Sequence, residues 1–226
     1  HDSTMGYPFC NAVISWLSGD ISAERMVMNL ERIRENYPVE SFYCNMNLIS
    51  SHDIPRAITS LSGKRNITER SEQAMTFLSD EEKAEGIKLL KIAMFIQMTF
   101  PGVPSIYYGD EIAMEGYRDP FNRRTFKWDE FQTKSPEIFI WIKELINFRK
   151  SNEIFKTGYI EYDYYKDNLL VFNRHLKNSK DAFGREIQGA EKITIAINRN
   201  NHPADIDIAG IREKLDAMRG AIILDG

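Results

Sequence analysis

A helix that is apolar on nearly every side limits what this chain can fold into. Ser79-Asp80-Glu81-Glu82 sets a Ser three residues ahead of a Glu and loads the first turn with acids. That is a capping box with a charge pattern suited to a helix N-terminus. The predicted helix runs to about residue 99, and its second half is dominated by Leu89, Leu90, Ile92, Ala93, Met94, Phe95, Ile96 and Met98. A helix of that kind is buried on more than one face. Phe100-Pro101-Gly102 stops it, and residues 103–108 read as a short strand ending at Gly109-Asp110-Glu111.

The flanking segments extend this pattern. Residues 9–17 suit a helix, broken by Gly19-Asp20. Ser22 then caps a second helix to about residue 34, with Met26, Leu30 and Ile33 on one face, and Asn36-Tyr37-Pro38 ends it. Residues 41–49 read as a buried strand that leads into Ser50-Ser51-His52-Asp53, followed by a polar, irregular stretch around Gly63, Lys64, Arg65 and Asn66. After Glu111 comes a loop of about twenty residues, too long for a plain connector. Ser135-Pro136-Glu137 then opens a helix through Lys150. Strands and helices in alternation, with near-continuous apolar strands, predict a parallel sheet with crossover helices. From about residue 157 the texture turns to β: residues 159–165, 168–173 and 192–198 are strand-like and separated by polar turns, as in a small antiparallel sandwich or sheet. A boundary between Ser151 and Gly158 divides the chain into residues 1–152 and 153–226.

Composition narrows the function classes. With 226 residues, 42% hydrophobic, the chain can bury a real core, and a net charge of −4 without clustered basic residues argues against a nucleic-acid partner. No apolar run approaches a membrane span. Cys10 and Cys44 lie among apolar residues without metal-ligand spacing and read as buried free thiols. The opening His1-Asp2-Ser3-Thr4 does not look like a natural start, so the chain is expected to be a fragment, which leaves its N-terminus with little to say about localisation; a cytoplasmic parent is the expectation.

In parallel α/β folds chemistry gathers where strands end. Two expected strand ends carry charged clusters here, Ser51-His52-Asp53 and Gly109-Asp110-Glu111. From the residues alone, His52 and Asp53 read either as an imidazole donor beside a reactive carboxylate or as a rim His beside a turn-capping Asp. Four segments in order carry more. Asn47-Leu48-Ile49-Ser50-Ser51-His52-Asp53 resembles the strand-seven motif of the α-amylase family, and the segment from Gly102 to Glu111 resembles its strand-eight motif. Met5-Gly6-Tyr7-Pro8-Phe9 is similar to the strand-six segment of the neopullulanase and cyclomaltodextrinase branch. Asp119-Pro120-Phe121-Asn122-Arg123-Arg124, with Phe126, Trp128 and Asp129, is similar to a loop of that branch.

The resemblance implies an α/β fold: the C-terminal part of a (β/α)₈ barrel, strands six to eight, followed by a small antiparallel β-sandwich domain. It implies double-displacement hydrolysis of α-glucosidic bonds in maltodextrin, cyclodextrin or pullulan-type glucans. Asp53 matches the family's third carboxylate, the transition-state stabiliser. His52, Asp119 and Arg123 match substrate-binding positions, although an intraloop ion pair is the other reading of Asp119 and Arg123. Asp110 and Glu111 are expected to be structural, and Trp128 to stack on sugar or pack the loop. The nucleophile and general acid lie ahead of Met5 in such enzymes. Asp2 matches a strand-six position instead, and Glu40 and Glu161 have no motif context. The fragment alone is therefore expected to be inactive. The rival readings are a non-catalytic carbohydrate-binding or interaction module on the same fold, and an α-1,6-glucosidase or sucrose-directed relative. No cofactor is expected; calcium occurs in the family, and nothing in this sequence supports a site for it. The expected partner is an α-glucan oligosaccharide. Three of eight strands would leave an open edge, so self-association through the truncated barrel is expected too. Ser51 stands where many amylases have Asn, and Gly6 where the branch often has Asn.

Overall fold

The structure, a computed structural model, describes residues 3–64, 66–133, 137–208, 211–217 and 219–224. Asp2, Arg65, Ser135 and Pro136, to which the sequence assigned motif, loop or capping roles, lie outside the described residues. Pro8 sits in the first turn of α1 (Tyr7–Leu17), which buries Phe9, Val13, Trp16 and Leu17. The Ser22 side chain caps α2 (Ala23–Asn36) by accepting from the Arg25 N–H. The stretch expected to be one strand over 41–49 divides: α3 (Val39–Cys44) takes its first part, and β1 is only Met46–Leu48. Pro38 begins that helix and Phe42 and Tyr43 bury one side of it, which is why a short apolar run does not separate helix from strand by pattern.

The region expected to be irregular holds two short helices, α4 (Ala57–Leu61) and α5 (Arg70–Met75), neither with a side-chain cap. Then comes the long helix α6 (Asp80–Thr99). Its capping box is complete: Ser79 Oγ accepts the Glu82 N–H at 3.2 Å, and Glu82 Oε2 accepts the Ser79 N–H at 2.8 Å. The strand expected over 103–108 shortens to β2 (Val103–Ser105). β2 pairs in parallel with β1, Met46 opposite Val103 and Leu48 opposite Ser105, and Met5 makes a parallel bridge to Met46 on the other side. Gln97 of α6 donates to Asn47 O and Ser105 O, both at 2.9 Å, and so ties the helix to both strands. Gly6 and Gly102 allow the chain to pass close to β1: a Cβ on either would lie 2.8 Å from Met46 O or 2.5 Å from Asn47 Nδ2.

The long loop is ordered by two 3₁₀ turns, Asp110–Ile112 and Phe121–Arg123, before α7 (Trp128–Thr133), α8 (Glu137–Ser151) and the short α9 (Ile154–Thr157). Next come β3 (Tyr159–Lys166), β4 (Leu169–His175), β5 (Lys192–Asn198), β6 (Ala204–Ile208), β7 (Ile211–Leu215) and β8 (Arg219–Leu224). They form a four-stranded antiparallel sheet in the order β3-β4-β5-β8 and a β6-β7 hairpin. Leu170, Phe172, Ile193, Ile195 and Ile197 of the sheet join α6 and α9 in one continuous core. The opposite face packs Val171 and Ala196 against Ile206 and Leu215 of the hairpin.

Two buried guanidiniums sit where α6 ends. Arg149 of α8 donates to Met98 O at 2.5 Å and Gly102 O at 2.6 Å, and Arg174 of β4 donates to Thr99 O at 2.7 Å. A helix C-terminus leaves carbonyls without intrahelical partners and carries partial negative charge, so cations there serve both needs. Cys10 is buried as expected, but Cys44 is exposed at the end of α3, because the helix turns it away from the core that a strand would have given it. Among the described residues no helix is long and apolar enough to cross a membrane.

Candidate active site

The turn that follows β1 carries the first functional cluster. Ser50 Oγ accepts the Ala57 N–H at 2.8 Å and closes the turn from inside. His52 and Asp53 project from it, with side chains 49% and 55% exposed and His52 Nε2 3.3 Å from Asp53 Oδ1. Tyr7, the first residue of α1, donates its hydroxyl to Asp53 Oδ2 at 2.9 Å. The Ser51 hydroxyl lies 3.1 Å from that phenol and also accepts the Asp53 N–H at 3.1 Å.

The 3₁₀ turn Phe121–Arg123 brings in the second cluster. Arg123 Nε pairs with Asp119 Oδ1 at 2.9 Å, and its NH2 group lies 3.9 Å from Asp53 Oδ1. His52, Asp53, Asp119 and Arg123, all singled out from sequence, therefore stand together on one rim. Asn122 between them is fully buried. Its side-chain amide donates to His52 O and Ile54 O at 2.9 Å and reaches Ser51 O at 3.3 Å, locking the loop to the backbone beneath Asp53. Sequence reasoning assigned no role to Asn122 or Tyr7. Arg124 points elsewhere, its guanidinium 4.7 Å from the Phe77 ring. Trp128 is 62% exposed and leans on Phe126 with ring centres 4.6 Å apart. Glu40 lies in the first turn of α3, and Glu161 of β3 lies 3.8 Å from His175, both away from the rim.

The acids after β2 support the rim from below. Glu111 accepts the Gly109 N–H at 2.6 Å. Asp110 is fully buried, 3.7 Å from Arg56 NH1, and the Arg56 guanidinium lies 4.7 Å from both the Tyr107 and Tyr108 rings. The two tyrosines reach the loop in turn, Tyr108 Oη donating to Arg124 O at 2.8 Å. Burial pushes the Asp110 carboxyl up to about 7, against the opposing pull of Ser50 and Arg56. The folded chain therefore holds this proton through a window, from about pH 4 to 7, in which the unfolded chain has released it. Stability must fall as pH rises through that window and level off above it. At about 1.4 kcal/mol per pH unit the upper bound is about 4 kcal/mol. Urea unfolding between pH 5 and 7.5 should show this decline, and Asp110→Asn should flatten it; an equally steep decline in the variant would contradict the assignment. Among the described residues no group of three or more His, Cys, Asp or Glu side chains is placed to hold a metal.

Carboxylates, an imidazole and a guanidinium at the exits of parallel strands form a rim suited to gripping polyhydroxy ligands through charge-assisted hydrogen bonds. Residues 1–137 match the family model described as Alpha amylase, catalytic domain, and the chain belongs to the α-amylase family. It is 35% identical over 211 residues to an amylopullulanase of Thermoanaerobacter thermohydrosulfuricus, covering 88% of this chain and 14% of that protein. It is 37% identical over 149 residues to neopullulanase 2 of Thermoactinomyces vulgaris, covering 66% of this chain and 22% of that protein. Among solved structures, the native form of the Nostoc punctiforme debranching enzyme superposes with a TM-score of 0.76 at 24% identity, covering 99% of this chain and 48% of that one. Likeness at that level is a likeness of fold, that of α-amylase-family barrel proteins. The chain spans less than half the length of each of these relatives.

Proposed function

We propose that these residues belong to a retaining α-glucosidic hydrolase acting on maltodextrin, cyclodextrin or pullulan-type glucans. In this reading residues 1–152 supply barrel strands six to eight, Met5, β1 and β2, and residues 153–226 are the C-terminal β-sandwich domain. Asp53 is the carboxylate that steadies the oxocarbenium-like transition state. His52 donates to sugar hydroxyls, and Asp119 with Arg123 clamps a glucose diol. The nucleophile and the general acid lie ahead of Met5 in the family's order, so these 226 residues do not hydrolyse glucans by themselves. The observation that carries the reading is the meeting of Asp53 with both His52 and the Asp119–Arg123 pair on one half-exposed rim. Separate loops deliver these groups, and a pair serving only its own loop has no need to approach Asp53. The open parallel sheet is also a surface through which the isolated chain self-associates.

Two readouts test this on the complete enzyme. A retaining double displacement releases the α-anomer first, which proton NMR of a maltotriose digest detects directly; β-anomer first would overturn the mechanism. Asp119→Ala and Arg123→Ala are expected to raise KM for maltotriose on the order of ten-fold with a smaller effect on kcat, as lost ground-state binding does. An unchanged KM in both variants would return the pair to a purely structural role.

A further inference from the structure

Tyr7 stands at the rim without a role in the chemistry above. Its hydroxyl, the Ser51 hydroxyl and the Asp53 N–H and carboxylate lie within 2.9–3.1 Å of one another in sequence around a closed circuit. The donor directions follow from chemistry. An ionised carboxylate only accepts, so the Tyr7 O–H donates to Asp53 Oδ2. The Tyr7 oxygen is then left to accept the Ser51 hydroxyl proton, and Ser51 Oγ accepts the Asp53 N–H. The two hydroxyls each donate once and accept once, so the relay runs from the Asp53 N–H through Ser51 and Tyr7 back to the Asp53 carboxylate, an arrangement in which hydrogen bonds strengthen one another. Burial and the Asp53 contact hold the Tyr7 phenol above its ordinary value of 10, so it remains a donor at neutral pH. Gly6 makes the approach geometrically feasible, since a Cβ there would lie 2.8 Å from Met46 O and 2.9 Å from Asn45 Nδ2.

We infer that Tyr7, acting with Ser51, is a positioning residue that fixes Asp53 Oδ2 so that Oδ1 is left to face His52, Arg123 and the sugar. Oδ1 is the oxygen 3.3 Å from His52 Nε2 and 3.9 Å from Arg123 NH2. The circuit is also a physical reason for Ser at position 51: the hydroxyl both donates and accepts at one atom, which neither the carbonyl nor the amino group of an Asn side chain does. This inference rests on the role proposed for Asp53.

The test is steady-state kinetics on maltotriose with the complete enzyme. Tyr7→Phe keeps the ring and removes only the hydroxyl; kcat is expected to fall about ten-fold, with KM and the thermal midpoint unchanged. Ser51→Ala is expected to act in the same direction. The double variant should be no slower than the worse single one, because either change opens the circuit. A Tyr7→Phe enzyme with wild-type kcat, a change confined to KM, or fully additive losses would each overturn the positioning role. Asp53→Asn in the same assay separates the two readings. Activity lost there while Tyr7→Phe stays at wild-type rate overturns only the role of Tyr7. Undiminished activity in Asp53→Asn overturns the assignment of Asp53, and the positioning role with it.

Discussion

Asp53→Asn in the complete enzyme is expected to lower kcat on maltotriose by about 10²–10³-fold, the size of loss seen when one preorganised electrostatic partner of a transition state is removed. The substitution is close to isosteric. Asn keeps an oxygen that can accept the Tyr7 hydroxyl at the position now 2.9 Å away, and its backbone N–H still reaches Ser51. On the proposed role, what disappears is the negative charge next to which positive charge develops on the sugar ring. The side chain is 55% exposed in the chain by itself, where water screens it. Bound glucan and the rest of the barrel would displace that water, and the same charge then counts for more. Circular dichroism and the melting curve should not move, since Asp53 buries nothing in the core. A kcat within about three-fold of wild type would exclude a transition-state role.

The largest expected effect on stability lies far from the rim. Arg174→Met should destabilise the 226-residue chain by about 3–5 kcal/mol, the scale of stripping one partner from a buried charged network. Arg174 is fully buried in β4, and burial lowers its pKa to about 9. Its hydrogen bonds all go to main-chain carbonyls: Thr99 O at 2.7 Å, Gly158 O at 2.8 Å, Phe155 O at 2.9 Å and Tyr159 O at 3.3 Å. Replacing a buried ion pair by two apolar groups can be neutral, but a main-chain carbonyl cannot be replaced. Met would fill the volume but take the guanidinium from four carbonyls; Gly158 O keeps the Tyr43 hydroxyl at 2.9 Å, and each carbonyl left without a donor costs about 1–3 kcal/mol when taken alone. Those carbonyls belong to the end of α6, to α9 and to the entry of β3, so one side chain joins the helical half to the antiparallel sheet. Against a usual total of about 5–15 kcal/mol, the loss threatens the fold itself. Urea unfolding reads it, and Arg174→Lys, which retains a donor, should fall between the two. A shift below about 1 kcal/mol in Arg174→Met would show that water or a relaxed backbone satisfies these groups.

What the sequence disclosed depended on whether the determinant was local. The capping box at Ser79 and the Ser22 cap are contained within four residues, and both helices start where those signals stand. The segment 41–49 sets Ser41, Asn45 and Asn47 among apolar residues in a run too short for period to divide, and Pro38 was the cue that a helix comes first. α4 and α5 carry no cap and are five and six residues long, too short to form without tertiary contact. At the rim, His52, Asp53, Asp119 and Arg123 were legible through ordered motifs. Tyr7 was quoted within a motif but its bond to Asp53 spans 46 positions, and Asn122 reaches Ser51, His52 and Ile54 across 68 to 71. Arg149 and Arg174 bond to carbonyls, which have no sequence signature at all.

On the proposed reading, this chain carries the stabilising carboxylate and the sugar-gripping rim of a glucan hydrolase whose nucleophile and acid lie ahead of Met5. Maltotriose hydrolysis by the purified 226-residue chain, run beside the complete enzyme, tests it most directly. No turnover by the chain and α-anomer-first turnover by the complete enzyme are expected. Turnover by the chain that survives purification and disappears in Asp53→Asn would contradict it.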